Sequence, residues 1–368
     1  MKIIADQTVP YLQGLAEPFA EVTYLPSNLF TPEAVRDADA LIVRSIDKCT
    51  RQLLEGSRVR LIATATIGFD HIDTAFCDTA GISWRNAPGC NAISVAQYVL
   101  ASLITLSLRK NETLKGKTIG IVGVGHVGKE VEKLCHAYGM RVLRNDPPRA
   151  LAEGADGFVS LDVLAEEADI LTFHTPLTRD GAFATYHLAG EVFLSKLKRS
   201  PWFINASRGA VHDTDALLQA KQSGQVGELI IDCWENEPNI NRTLLASTAL
   251  ATPHIAGFSA DGKANGTRTC LRNIADYFRI SDELIGEVAP PAPHQPEIDL
   301  DSFADHRIEQ MILSSFNPLT IDYALRNNPE QFESFRTHYD HPREFAAYTP
   351  LHATTQEAGL LRQLGFAL

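Results

Sequence analysis

The chain has 368 residues, more than one hydrophobic core usually organises, so two or three domains are expected. A hydrophobic content of 45% excludes global disorder, and 33 basic against 45 acidic residues, a formal charge of −12, oppose non-specific attraction to nucleic acid or an anionic membrane. Six cysteines stand far apart without a CxxC pair or zinc-ligand spacing, the start MKIIADQTVPYLQ has no long apolar run, and no uninterrupted apolar stretch reaches about 18 residues, so a reduced, soluble, cytoplasmic chain without signal peptide or membrane span is expected.

Residues 1–93 alternate short apolar runs with amphipathic segments. KIIA, ALIVRS, RLIATAT and GISWRNA read as parallel strands, each followed by a turn or helix. A helix is expected over Ser94–Leu108, apolar enough to be buried between domains. A second α/β series follows with strands at TIGIVGVG, MRVLRND, ILTFHTP, PWFINAS, GELIIDCW and ALATPHI, and helices at GKEVEKLCHAYG and TDALLQAKQSG. After Phe258, DGKANGTRTCLRNIADYFRI reads as one long helix that returns the chain to the first domain. The expected division is therefore a substrate domain at 1–93, an inserted dinucleotide domain at 94–256, a return helix at 257–285, a Pro-rich linker at 286–296 and a C-terminal domain at 297–368.

Gly123, Gly125 and Gly128 form GxGxxG between a strand and a helix. The first glycine allows the tight turn, the second lets backbone approach a pyrophosphate, and the third lets helix pack on strand. Asp146 ends the next strand, where a carboxylate accepts ribose hydroxyls and repels a 2′-phosphate; this favours NAD over NADP despite Arg144 and Arg149 nearby. The bland alternative for Asp146 is a helix cap before Pro147.

Three further motifs stand at strand ends: NASRG with Arg208, DCWENEP with Glu237 and TPHIAG with His254. Singly these are a solvated arginine, a turn glutamate and a satisfied histidine. Together they supply an anion clamp, a carboxylate and a titratable base. Removing hydride from a 2-hydroxy acid requires the hydroxyl proton to leave, which histidine suits, and arginine forks two bonds to a carboxylate.

On GVGHVG, HTPLT, NASRGA, DCWENEP and TPHIAG, in that order, residues 1–280 or so resemble the D-isomer-specific 2-hydroxyacid dehydrogenases. The resemblance implies a Rossmann-type NAD domain inserted into a flavodoxin-like substrate domain. Arg208 would bind the substrate carboxylate, Glu237 would hold the imidazole, and His254 would be the acid/base. His126, Val127, Asp146, Thr175, Ala206, Ser207, Asp232 and Gly257 would line the NAD site with the glycine loop.

VRSIDK, TATIGFDHID, APGCNAISVAQYV and HIAGFSADGKANGT resemble more closely a branch of that family that acts on a phosphorylated 2-hydroxy acid in vitamin B6 synthesis. FESFRTHYDHPREF resembles, more loosely, that branch's small α+β C-terminal dimerisation domain, which implies a homodimer. The branch assigns Ser45, Thr66 and residue 258 to the substrate; here Phe258 stands where tyrosine is expected. Ser45 and Thr66 end the strands ALIVRS and RLIATAT, so their loops should share one sheet edge where hydroxyls and N–H groups bind an anion; helix capping is the alternative. Cys90 reads as a packed side chain rather than a nucleophile, and His338 with His341 lack a third ligand for a metal. The rivals are another 2-hydroxyacid dehydrogenase, such as a phosphoglycerate dehydrogenase or hydroxypyruvate reductase, and a non-catalytic NAD-sensing protein.

Overall fold

The computed structural model describes residues 1–368, which form two compact units: Met1–Asn91 with Ser259–Pro291, and Ala92–Phe258 with Ala292–Leu368.

The first unit is built on five parallel strands, β1 (Lys2–Asp6), β2 (Glu21–Leu25), β3 (Ala40–Val43), β4 (Leu61–Thr64) and β5 (Ser83–Arg85), in the order β2-β1-β3-β4-β5. This is the flavodoxin-like order. β3 and β4 are buried along their whole length, as parallel strands covered on both faces must be, which is why their apolar runs are continuous. β2 is an edge strand and largely half-buried, so EVTYL carries no such run and gave no strand signal. The helix Ala260–Phe278 packs on β4. Its approach is close: a Cβ on Gly266 would lie 2.7 Å from the Ala65 carbonyl oxygen, and the Thr267 hydroxyl donates to the Pro10 carbonyl at 2.6 Å.

The second unit carries six parallel strands, β6 (Thr118–Val122), β7 (Arg141–Asn145), β8 (Ile170–Phe173), β9 (Trp202–Asn205), β10 (Leu229–Ile231) and β11 (Leu250–Ala251), in the order β11-β10-β9-β8-β6-β7. The chain runs from β6 to β7 on one side and then crosses to β8 on the other. Ligands bind open α/β sheets at such a reversal, outside the carboxyl ends of the strands. The helix Ala92–Lys110 is long and apolar enough by composition to cross a membrane, yet Val95, Val99, Leu100, Leu103 and Ile104 are buried in one core with Ile119, Ile121 and Leu134. Its apolar face is thus a core face inside this unit. Truncating Leu100 or Leu103 to alanine would cost about 2–5 kcal/mol.

Residues 292–368 contribute a two-stranded parallel ladder, β12 (Glu297–Asp299) with β13 (Thr349–Leu351), and several short helices. They share a core with residues 92–258 through Leu300, Met311, Ile312, Phe345 and Leu361. The segment also covers the open edge of the sheet. Asp322, buried, accepts the Ala251 amide of β11 at 2.7 Å, and Arg326 donates to the carbonyls of Leu245 and Thr248. An edge whose amides are taken offers no template for a further strand.

Candidate active site

The glycine loop has the shape its sequence requires. Gly123 has φ +87°, and a Cβ there would meet the His174 carbonyl and Thr175 Cγ2 at 2.8 Å; a Cβ on Gly128 would lie 2.2 Å from the Gly123 carbonyl oxygen. Gly125, exposed, has nothing within 4 Å of the same position, so open space faces the loop where the helix His126–Ala137 begins. That N-terminus presents unpaired N–H groups suited to phosphate oxygens. Across from it, Thr175 Oγ1 is buried without a hydrogen-bond partner. A tight turn, an open helix end and an orphaned buried hydroxyl fit a dinucleotide.

Asp146 has two jobs. Its Oδ1 accepts the Arg149 amide at 3.1 Å, capping the helix Pro147–Glu153, and its Oδ2 accepts the Val124 amide of the glycine loop at 2.9 Å. Each carboxylate oxygen keeps a second lone pair for a ribose hydroxyl. The capping and binding readings are therefore compatible. The two neighbouring arginines are engaged elsewhere. Arg149 pairs with Glu153 and donates to the Val124 carbonyl, while Arg144 donates to the Gly157 carbonyl, and both guanidinium groups lie 5.2 Å from the Phe158 ring centre.

The three catalytic candidates follow β9, β10 and β11, and two of them, Glu237 and His254, are bonded to each other. Glu237 Oε1 lies 2.6 Å from His254 Nδ1, and its Oε2 accepts the Trp234 amide at 3.2 Å. Burial alone pushes the Glu237 carboxyl up; the hydrogen bond and charge of His254, the Trp234 amide and the charge of Arg336 together hold it below the usual carboxylate range. An ionised carboxylate only accepts, so His254 Nδ1 carries the proton and Nε2 is the atom left to exchange one. His254 sits at φ 55°, a conformation L-residues seldom take, and Asp232 holds it there. The His254 amide donates to the Asp232 carbonyl at 2.8 Å, and the buried Asp232 carboxylate accepts the Ile255 and Ala256 amides and the Thr252 hydroxyl. Asp232 thereby fixes the loop that ends at Gly257.

Arg208 follows β9. Asn205 holds its turn, donating to the Arg208 carbonyl at 2.9 Å and accepting from the Ser207 amide and hydroxyl. The next residue must be glycine, because a Cβ on Gly209 would lie 1.9 Å from the Trp234 carbonyl oxygen. That close approach sets Arg208 against the DCWENEP loop. His174, in HTPLT, is half-buried with its Nδ1 enclosed; desolvation pushes its imidazole down to about 3, and Nε2 bonds the Thr172 hydroxyl.

In the first unit, Ser45 is exposed on the turn after β3, which Asp47 holds by accepting the Arg44 amide at 2.7 Å. Arg44 donates to Thr8. Thr66, after β4, donates to the Gly68 carbonyl at 2.8 Å and bonds the Thr64 hydroxyl, so it shapes its own loop. Neither caps a helix.

One residue of FESFRTHYDHPREF has no site role that the sequence alone suggests. Arg336, on the helix Phe332–Thr337, lies 5.8 Å from the Phe258 ring centre, and its charge acts on the Glu237 carboxyl and the Cys233 thiol. Tyr339 and His341 also pack on Phe258, His341 stacked at 5.7 Å, while His338 bonds the Ser334 carbonyl. The two histidines therefore serve different partners.

Residues 98–256 match the family model described as the D-isomer specific 2-hydroxyacid dehydrogenase, NAD binding domain. An erythronate-4-phosphate dehydrogenase of Porphyromonas gingivalis is 54% identical over 100% of both chains, and one of Klebsiella pneumoniae is 39% identical over 100% of this chain and 98% of its own. Among solved structures, NAD+-bound 3-phosphoglycerate dehydrogenase of Entamoeba histolytica superposes with a TM-score of 0.64 at 27% identity, covering 76% of this chain and 95% of its own. D-lactate dehydrogenase of Aquifex aeolicus, complexed with NAD and lactic acid, gives 0.60 at 26% identity over 79% and 100%. The solved structures leave a fifth or more of this chain uncovered, whereas the first group aligns through its C-terminal segment. With the glycine loop, the Glu237–His254 pair and Arg208 on one sheet edge, the chain belongs to the erythronate-4-phosphate dehydrogenases, within the D-isomer-specific 2-hydroxyacid dehydrogenase family.

Proposed function

We propose that the chain oxidises C2 of 4-phospho-D-erythronate to (R)-3-hydroxy-2-oxo-4-phosphooxybutanoate with NAD, a step of pyridoxal 5′-phosphate biosynthesis. The observation that carries the reaction type is the 2.6 Å Glu237–His254 bond at the carboxyl edge of the second sheet. The shared name of full-length relatives supports the phosphorylated substrate. NAD, when bound, accepts hydride at its nicotinamide. The residues that hold it are Gly123, Gly125, His126, Val127 and Gly128 at the pyrophosphate, Asp146 at the ribose, and Thr175, Ala206, Ser207, Asp232 and Gly257 along the strand ends. Arg208 forks the substrate carboxylate and draws charge toward the 2-oxygen. As hydride leaves C2, the hydroxyl proton passes to His254 Nε2, and the imidazolium so formed is stabilised by the Glu237 carboxylate at Nδ1. In the reverse reduction the same proton returns to the oxygen.

Ser45 and Thr66 line the phosphate: the Ser45 hydroxyl and neighbouring N–H groups donate to it, while Thr66, whose hydroxyl donates to the Gly68 carbonyl, shapes the loop that presents those groups, and Phe258 lines the substrate without the hydroxyl a tyrosine would bring. The enzyme works in the cytoplasm as a homodimer assembled through residues 297–368. Sedimentation of the full chain should give twice the chain mass; the mass of one chain would remove the dimer. NADH formation from 4-phospho-D-erythronate, D-erythronate and 3-phospho-D-glycerate tests the substrate. Turnover on the first should dominate, and equal or greater turnover on either of the others would overturn the reading.

A further inference from the structure

We propose that Arg336 is a second oxyanion-binding arginine of the active site, its Nε–Nη2 edge forking two oxygens of the substrate phosphate. The proposal rests on the phosphorylated-substrate reading above and deepens it. Arg336 Nη1 donates to Glu333 at 3.0 Å, whereas Nε is buried with no acceptor. Leaving a buried cationic N–H unpaired is costly, so such a group points to an acceptor supplied by a ligand. The Nε–H and one Nη2–H of a guanidinium point the same way, and that edge matches two oxygens of one anion.

The surroundings agree. The guanidinium stands 5.8 Å from the ring centre of Phe258, the residue that follows Gly257 on the loop carrying His254, and its charge acts on Glu237. The apolar ring excludes water from one side of the cation, which strengthens its attraction for an anion. Glu333 holds the other edge and fixes the fork's direction. With Arg208 assigned to the carboxylate, the remaining anionic group of the substrate is the phosphate. Hydride removal creates no charge there, so the fork supplies affinity and selection, and leaves the proton transfer at His254 unchanged.

The test compares Arg336→Ala and Arg336→Lys with the wild-type full chain, measuring kcat/KM on 4-phospho-D-erythronate and on D-erythronate, the pH profile, and NADH binding by fluorescence as a check that the fold persists. Loss of a bidentate charge-assisted contact should lower kcat/KM on the phosphorylated substrate on the order of 100-fold, mostly through KM, with lysine recovering only part. The loss on D-erythronate should be smaller by roughly tenfold or more, because that substrate lacks the phosphate the fork binds. Equal losses on both substrates, or a displaced acidic limb with KM unchanged, would show that Arg336 acts through Glu237 or through packing and would overturn the proposal. Undiminished activity on the phosphorylated substrate would do the same. A wild-type enzyme indifferent to the phosphate would instead sink the substrate reading itself.

Discussion

The two parallel sheets put their candidate residues at the same kind of place, the carboxyl ends of strands, but hold them differently. In the second unit the side chains are fixed by one another: Glu237 on His254, Asp232 on the loop from Thr252 to Ala256, Asn205 on the turn carrying Arg208. In the first unit the turns are fixed and the groups they display are small. Asp47 holds the turn that exposes Ser45, and Thr66 bonds within its own loop. Proton transfer needs a side chain held to a fraction of an ångström, whereas anion binding needs a concave run of N–H and hydroxyl groups. The contrast predicts that damage at the second sheet lowers turnover on every substrate, and damage at the first changes which substrate is taken.

The largest effect is expected at the second sheet. His254→Ala should lower kcat by about 100-fold or more, the usual consequence of losing a general base, with NADH binding retained in a fluorescence titration. Turnover near wild type would remove His254 from the chemistry. The matching change at the first sheet is Ser45→Ala with Thr66→Val. Losing the Ser45 donor together with the Thr66 bond that shapes the neighbouring loop should cost the phosphorylated substrate on the order of tens-fold in kcat/KM, while D-erythronate is little affected. Parallel losses would erase the proposed division of labour.

Glu237→Gln sharpens the comparison within the second sheet. Replacing an ionised partner of His254 should lower kcat by roughly tenfold, since a hydrogen bond to a charged group is worth about 1.5–3 kcal/mol. It also predicts a pH dependence of stability. The folded Glu237 carboxyl is held below its ordinary value of 4.5, so it binds fewer protons folded than unfolded. Its contribution is therefore present in full above that value and fades as pH falls through the lower, folded one. The Tm advantage of wild type over Glu237→Gln should be steady at neutral pH and shrink in acid; a gap that widens in acid would reverse the sign. The smallest effect is at Asp146. Asp146→Ala should cost about 1 kcal/mol of stability from the lost cap and narrow the preference for NAD over NADP by a few-fold. A preference for NADP in the unaltered enzyme would contradict its placement.

Much of this is legible in the sequence because the chemistry sits next to strands that are buried on both faces. TIGIVG, WFIN and LII announce themselves as apolar runs, and the residues that follow them are where ligands bind. What was illegible had no such flank. β2 lies at an edge and needs no apolar run, and the helices Pro147–Glu153 and Leu161–Glu167 are only seven residues long, the first mostly exposed and the second burying just Leu164 and Ala165. Arg336 sits on a six-residue helix whose spacing says nothing of its partners, since Phe258 and Glu237 are remote in sequence and only folding brings them near. Beside its expected place in the NAD site, Asp232 bonds the loop that carries His254, a positioning role that spacing alone does not reveal.

The most direct test of the central claim follows the hydrogen on C2. The wild-type enzyme, given NAD and 4-phospho-D-erythronate deuterated at C2, should yield NADH carrying one deuterium by mass spectrometry, together with the 2-oxo product. Unlabelled NADH from that substrate, or no NADH at all, would contradict the account.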